Sequence, residues 1–305
     1  MDILPPCAKH IKMQYGQIIE QLTKIAVTVY LLNLYFPLEI EYACFALILG
    51  DLASEIMAFL LHYAFYKIDI RKYRDVMKVP TGNYLKRIFT ISAPVAITSY
   101  IRSGLSTFKH LLIPGRLEKS GLTDSIALSS YGMIHGMAMP LILFPSLFIT
   151  SFAGLLVPEF SRYYVKKDFK RIKQVSIYIL TVSILLSTLL GIFLFVFADK
   201  LGVIFYDNVE IGKYIKIMSP LVLFIYVDTV VDSILKGLNA QVGIMLVNIL
   251  DLFVTILIIF FVVPVLGVNG YLLSIFVSEI LNFTISLWQL IYTIQKGLKQ
   301  NTRAA

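Results

Sequence analysis

Apolar residues occur in long, almost continuous runs that are separated by short polar segments. A helix that crosses the hydrocarbon core of a membrane needs about 20 mostly apolar residues. About eight windows meet this requirement, some with polar insertions, and the first extends back through Ile18. The windows are 24–38, 40–66, 86–112, 130–157, 174–197, 214–235, 242–264 and 270–294. The pattern predicts an all-α fold, a polytopic membrane helix bundle of about eight transmembrane helices.

The positive charges of the connections are concentrated in every second connection. The basic segments are 9–24, 67–87, 162–173 and 296–303, and Lys236 lies alone in a tight turn. The connections between them contain only Arg116, Lys119, Lys200, Lys213 and Lys216. Because cytoplasmic loops are enriched in Lys and Arg, the alternation predicts that the N-terminus and the C-terminus are both cytoplasmic.

The composition supports a membrane protein and argues against a nucleic-acid-binding one. Hydrophobic residues make up 58% of the chain and charged residues only 15%, with a mean hydropathy of +0.79. A soluble domain has about a quarter of its residues charged. The net charge of +8 lies in short clusters between apolar runs, so we expect no nucleic-acid partner.

No pattern in the sequence indicates an enzyme. The chain lacks a nucleophile elbow, a phosphate-binding loop and a zinc-protease motif. Cys7, Cys44 and the four scattered histidines show no metal-ligand spacing. We therefore predict no catalytic residue, no metal site and no cofactor.

Several helix breakers fall inside the predicted spans, namely Pro94, Gly136, Pro140 and Pro145. Such residues kink membrane helices and release backbone groups for neighbouring helices or cavity water. They have two interpretations, a local packing distortion or a bending element of a transporter.

The third window contains two cations within the apolar run. Arg102 and Lys109 are seven residues apart, so an α-helix places them within about 20° of each other, with Ser106 on the same face. Ionisable groups in a membrane are costly unless they face protein or water, and they commonly mark function. This stripe predicts a substrate-binding site for an anion such as a phosphate or pyrophosphate. The alternative is that Lys109 reaches the membrane interface while Arg102 pairs with an acidic residue elsewhere.

The sixth window contains two carboxylates and a lysine spaced by four residues. Asp228, Asp232 and Lys236 therefore share one helical face. They are candidates for ion coupling, with a cation or proton near Asp228, or for a structural ion pair at the cytoplasmic end.

Other polar residues within the apolar runs are interpreted as contacts that hold helices together. They are Asn248, Asp251 and Thr255 in the seventh window and Glu279 and Asn282 in the last.

Residues 111–165 resemble the stage V sporulation protein B group of polysaccharide and oligosaccharide flippases. This group belongs to the MATE-like multidrug/oligosaccharidyl-lipid/polysaccharide superfamily. The matching pieces are Ile113-Pro114, Arg116-Leu117, Gly121, Tyr131-Gly132, Gly136-Met137-Ala138, Pro140, Phe144-Pro145-Ser146 and Leu156-Val157-Pro158. The strings GQIIEQLTKI and ILKGLNAQ are also similar to family segments, so the resemblance covers most of the chain.

The resemblance implies a transporter of two six-helix lobes around a central cavity. On that alignment, 1–66 are a remnant of the N-lobe with two transmembrane helices, and 67–87 are a basic cytoplasmic linker between the lobes. Residues 88–305 are then the C-lobe, with six transmembrane helices. The first four helices of the family have no counterpart in this sequence. We therefore expect a fragment, a truncated product or one part of a split transporter whose N-lobe is a separate chain.

The function that the resemblance implies is a flippase in a bacterial plasma membrane. Its cargo would be a lipid-linked oligosaccharide or a peptidoglycan precursor, its surroundings membrane lipids, and its setting cell-envelope synthesis or sporulation. One alternative is a cation-coupled exporter of drugs or metabolites from the same superfamily, which needs an acidic residue such as Asp228. Another is a membrane scaffold that transports nothing and recruits envelope-assembly enzymes.

Overall fold

Every regular element that the structure describes is helical. The structure is a computed structural model and describes residues 6–35, 40–73 and 84–304. The helices are α1 (Pro6–Tyr35), α2 (Ile40–Tyr73), α3 (Tyr84–Glu118), α4 (Asp124–Tyr131), α5 (Met139–Leu143), α6 (Ser146–Val165), α7 (Phe169–Tyr206), α8 (Val209–Met218), α9 (Leu221–Gly237), α10 (Gln241–Phe261) and α11 (Val263–Ala304), and a π-helical turn (Gly132–Ala138) joins α4 to α5. The all-α fold is thus confirmed.

The chain divides into two compact units, Met1–Tyr84 and Leu85–Ala305. In the first unit, α1 and α2 pack against each other. Lys24 Nζ lies 2.5 Å from Asp51 Oδ1 across this pair. Most of the connection between the units, residues 74–83, lies outside the described residues, so the predicted linker at 67–87 is described only at its two ends.

Five helical segments in the described residues are long and apolar enough to cross a membrane. They are Glu41–Ile68, Asp124–Leu143, Phe169–Tyr206, Gln241–Phe261 and Val263–Gln300, and the bent pair of α8 and α9 adds a sixth if it is one span. The multi-pass membrane character is therefore supported. The predicted count of about eight is not confirmed, because the windows at 24–38 and 86–112 lie in helices that are more polar than these segments.

The second unit is organised around α9. Its neighbours are α6, α7, α10 and α11, and its buried side chains, among them Val230, Val231 and Ile234, point in several directions around the helix. Since α9 is covered on several sides, its polar side chains face other helices and a cavity between them. By contrast, α7 exposes apolar side chains along most of its length, as expected for a helix in contact with lipid.

The helices of the second unit break at one of the predicted interruptions, Pro145, and at two further positions. Between α5 and α6 lies Pro145, which has no amide to donate to the preceding turn. Between α8 and α9 the chain bends by 53° beside Pro220. In α11 the break is at Gly267, whose φ of 57° and ψ of −133° are outside the helical region. By contrast, α3 continues through Pro94.

Candidate functional site

A polar cavity of about 700 Å³ lies between α3, α6, α9, α10 and α11 of the second unit. Polar and charged residues make up most of its wall. They are Ser99, Arg102, Thr150, Asp228, Thr229, Asp232, Ser233, Lys236, Gln241, Asn248, Glu279 and Asn282. A cavity of this size and polarity within a membrane helix bundle is a candidate ion or substrate site.

The acidic side of the cavity comes from α9, where the spacing of four aligns Asp228, Asp232 and Lys236. Asp228 is 8% exposed, and one of its oxygens, Oδ2, accepts a hydrogen bond from Asn282 Nδ2 at 2.9 Å. The buried hydroxyl of Ser286 lies beside both aspartates. Helix α11 therefore supplies the polar partners of the α9 carboxylates.

One oxygen of each α9 aspartate is buried without a hydrogen-bond donor among the described residues, Oδ1 of Asp228 and Oδ1 of Asp232. A buried carboxylate oxygen with no partner is unfavourable. A cation or a proton bound at these oxygens would remove that penalty, which is the property that the ion coupling predicted for this pair requires.

Arg102 reaches the cavity from α3. It attracts the carboxylate of Asp232, which lines the same cavity. No direct ion pair forms among the described residues of the wall. The wall contains two cations, Arg102 and Lys236, and three carboxylates, so it presents both signs of charge to whatever enters.

Lys109 lies in a second, smaller cavity of about 60 Å³. A separation of seven residues places Lys109 about 10 Å from Arg102 along the helix axis, and the half-buried Ser106 lies between them on α3. Lys109 attracts Asp251 and Glu279. Glu279 is part of the wall of both cavities, so it links the two cations of the predicted stripe.

Asp251 joins α10 to α11 rather than lining the large cavity. The hydroxyl of Ser278 lies 2.7 Å from Asp251 Oδ1 and 2.9 Å from Oδ2. This contact agrees with the interpretation of Asp251 as a residue that holds helices together. Thr255, one turn further along α10, donates to the Asp251 carbonyl at 2.8 Å.

Comparison with known proteins finds one family model and two curated relatives that resemble parts of this chain. The MatE family model matches residues 119–265. The chain is 25% identical over 273 residues to stage V sporulation protein B of Bacillus subtilis, an alignment that covers 87% of this chain and 52% of that protein. It is 26% identical over 147 residues to sporulation protein YkvU of the same organism, covering 46% of this chain and 31% of that one.

A solved structure has the same fold. It is the inward-facing conformation of a multidrug resistance MATE family transporter, with a TM-score of 0.61 and 13% sequence identity. The match covers 95% of this chain and 65% of the transporter. The chain is therefore similar to MATE-like proteins both in sequence, over part of its length, and in fold. It spans about half the length of stage V sporulation protein B and just under two thirds of the solved transporter.

Sequence reasoning missed the position of two residues, Glu279 and Asn282. Both were interpreted as residues that hold helices together, yet both line the large cavity and Asn282 binds Asp228. Glu279 could have been found from the sequence, because it is a carboxylate within the last apolar run. A second cluster, formed by His110, Tyr131 and His135, had no signal in the sequence.

Proposed function

We propose that this chain is part of a flippase-type transporter that moves a lipid-linked oligosaccharide or a peptidoglycan precursor across a bacterial plasma membrane. The likeness to stage V sporulation protein B supports this class of function. The observation that carries the proposal is Arg102, a cation exposed to a polar cavity of about 700 Å³ within a membrane helix bundle.

Arg102 is suited to bind a pyrophosphate head group. A guanidinium presents several donors in a fixed plane and binds phosphate oxygens in pairs. Lys109 and Ser106 would extend the same contact along α3, since Lys109 faces the second cavity and Ser106 lies between the two. The N-lobe of the transporter, from the same gene product or a separate chain, would supply the opposite wall.

The test is binding and transport of a fluorescent polyprenyl pyrophosphate that carries a short oligosaccharide. We expect Arg102→Glu to reduce binding of the probe to the purified full chain at least tenfold. The change removes the guanidinium that donates hydrogen bonds to the phosphate and introduces a negative charge that repels it. In a complete two-lobed transporter, the same change should abolish delivery of the probe to the opposite leaflet.

The matched control is Arg171→Glu, which makes the same charge change on an exposed residue in the first turn of α7. Acidic residues are favourable at a helix N-terminus, so this variant should fold and bind the probe normally. Equal binding by both variants and the unmodified chain would overturn the flippase assignment of Arg102.

The second candidate function is cation-coupled export, and the unpartnered oxygens of Asp228 and Asp232 favour it. A carboxylate pair of this kind binds a cation or proton from the cavity. It would couple the entry of that ion to the movement of an exported drug or metabolite.

Cation-driven uptake into vesicles that contain the complete transporter separates the two functions. Asp228→Asn keeps the shape of the side chain and removes its charge, so we expect loss of cation dependence if Asp228 couples transport. Asp199→Asn, which makes the same change at an exposed position of α7, is the control. Cation dependence that survives in Asp228→Asn would exclude this role.

A further inference from the structure

A groove of about 200 Å³ lies between α7 and α11 of the second unit. No described residue lines both this groove and the large cavity. Because α7 exposes apolar side chains along most of its length, the groove opens towards lipid. The apolar side chains of its wall include Ile177, Leu180, Leu287, Leu290, Ile291 and Ile294.

The groove is polar at one end and apolar at the other. The start of α7 meets the end of α11 where Gly297 packs against the ring of Phe169, so Lys173 and Gln295 of the wall lie at the same end. Leu180 lies seven residues beyond Lys173 on α7, about 10 Å further along the helix axis. The groove therefore has the polarity of a molecule with a polar head and an apolar chain.

The hydroxyl of Ser176 lies in the wall of the groove without a hydrogen-bond partner. The residue is 2% exposed, and its Oγ has no partner among the described residues. Two other serines of α7 donate to the carbonyl four residues earlier, Ser183 at 2.8 Å and Ser187 at 2.7 Å. A buried hydroxyl without a partner is unfavourable, so Ser176 is available to a polar group that enters the groove.

The polar end of the groove is strongly basic. The segments 166–173 and 295–300, which meet there, contain one acidic residue, Asp168. Its carboxylate accepts a hydrogen bond from the Arg171 amide at 3.0 Å and caps α7. The group that binds at this end should therefore be negatively charged. The exposed cations of the two segments include Lys166, Lys170, Arg171, Lys173, Lys296 and Lys299.

Exposed aromatic side chains flank the groove. Tyr178 lies on α7, and Trp288 stacks on Tyr292 on α11 with ring centroids 5.7 Å apart. Tyrosine and tryptophan are enriched where a membrane meets water, and the basic connection before α7 is predicted to be cytoplasmic. The polar end thus lies at the level of the head groups of the cytoplasmic leaflet, which carries anionic lipids.

We propose that this groove binds a membrane phospholipid that has an anionic head group. One acyl chain lies between Leu180 and Leu287, Ser176 donates to an ester or phosphate oxygen, and Lys173 pairs with the phosphate. Sites that enclose a drug-sized ligand measure about 300–1,000 Å³. This groove is smaller, so it holds a single chain while the rest of the lipid stays in the bilayer.

Such a lipid site is independent of the cargo proposed above, because the groove is separate from the large cavity. The competing explanation is that the Ser176 hydroxyl rotates to donate to the Ile172 carbonyl, as serines in helices commonly do. The groove would then be filled by any lipid of the bilayer without preference.

The fluorescence of Trp288 separates the two explanations. It is the single tryptophan of the chain and follows Leu287 of the groove wall. The full chain is placed in phosphatidylcholine vesicles, and phosphatidylglycerol with brominated acyl chains, which quench tryptophan on contact, is added in increasing proportion. We expect its apparent affinity to exceed that of brominated phosphatidylcholine at least about fivefold. Equal affinities of the two lipids for the unmodified chain would overturn the proposal, and this comparison needs no variant.

Two pairs of variants test the residues of the site. Lys173→Gln should lower the affinity for brominated phosphatidylglycerol about fivefold, through loss of one charge. Ser176→Ala should lower it about threefold, through loss of one hydrogen bond. The controls are Lys170→Gln and Ser183→Ala, which make the same changes on α7 outside the groove wall.

The control variants should retain the affinity of the unmodified chain. If Lys170→Gln weakens binding as much as Lys173→Gln, the attraction is spread over the whole basic surface and no lipid site exists in the groove. An affinity that stays unchanged in both Lys173→Gln and Ser176→Ala would overturn the proposal as well.

Discussion

At the scale of single residues, the neighbouring helix determines whether a buried polar side chain finds hydrogen-bond partners for all its atoms. Asp228 and Asp251 are both carboxylates within apolar helices. Asp251 meets the hydroxyl of Ser278 with both oxygens, whereas Asp228 keeps one oxygen without a donor among the described residues. The first arrangement favours helix contact, and the second leaves a group available for an ion.

Tyr226 gives a residue-scale prediction about stability. Its ring is fully buried on α9, and its hydroxyl donates to the Ile142 carbonyl at 2.6 Å, just before the break at Pro145. The Ser146 amide faces the same hydroxyl. We expect Tyr226→Phe to lower the free energy of unfolding by about 1–3 kcal/mol, because a buried carbonyl loses its donor. Denaturant titration in mixed micelles measures the change.

The control is Tyr178→Phe, which removes the same hydroxyl from a ring that is 71% exposed on α7. Its unfolding free energy should stay within about 0.5 kcal/mol of the unmodified chain. If the two variants lose the same stability, the bond between Tyr226 and Ile142 contributes nothing.

At the scale of elements, small residues decide how closely the helices approach. A Cβ added to Gly237 would lie 2.6 Å from the Cβ of Phe160 and 2.9 Å from the Val157 carbonyl oxygen. Ser161 Oγ donates to the Gly237 carbonyl at 3.1 Å in the same contact. Helices α6 and α9 therefore meet backbone to backbone at this point, as small residues allow in membranes.

We expect Gly237→Ala to separate α6 from α9 and to destabilise the second unit by about 1–3 kcal/mol, as overpacking does. Thermal unfolding in detergent with a lipid supplement measures the loss. Gly104→Ala on α3 is the control, because a Cβ there meets open space, and alanine favours a helix by up to about 1 kcal/mol. A Gly237→Ala chain as stable as the control would contradict this close packing.

At the scale of the whole molecule, the alternation of basic connections predicts a membrane orientation. The connection between α6 and α7 is basic and should be cytoplasmic, whereas the one between α3 and α4 should face outward. Single cysteines are introduced as Lys170→Cys and Lys119→Cys, both at exposed positions, in a chain with Cys7→Ser and Cys44→Ser. In intact cells, a membrane-impermeant maleimide should label position 119 and leave position 170 unlabelled until the cells are opened.

The reverse labelling pattern would invert the predicted topology. Labelling of both positions in intact cells would mean that the two connections lie on the same side, and the number of spans between them would then be even. This outcome would also exclude the alternating arrangement on which the cytoplasmic termini depend.

The sequence by itself determined the membrane class, the all-α fold and the approximate positions of the helices. The physical reason is that lipid offers no hydrogen bonds, so each spanning segment must satisfy its own backbone as a helix and be apolar along its length. Both requirements are local and can be read from a single window. The break at Pro145 is local for the same reason, because proline removes an amide from its own helix.

Only the tertiary structure decided which polar residues meet. Arg102 and Lys109 share a helical face, but their distance along the axis puts them in different cavities, and Glu279 from α11 reaches both. His110 and His135 come together because the π-helical turn packs against α3. Contacts of this kind depend on the rotation and depth of helices far apart in the chain, and the pattern of one helix carries no information about its neighbour.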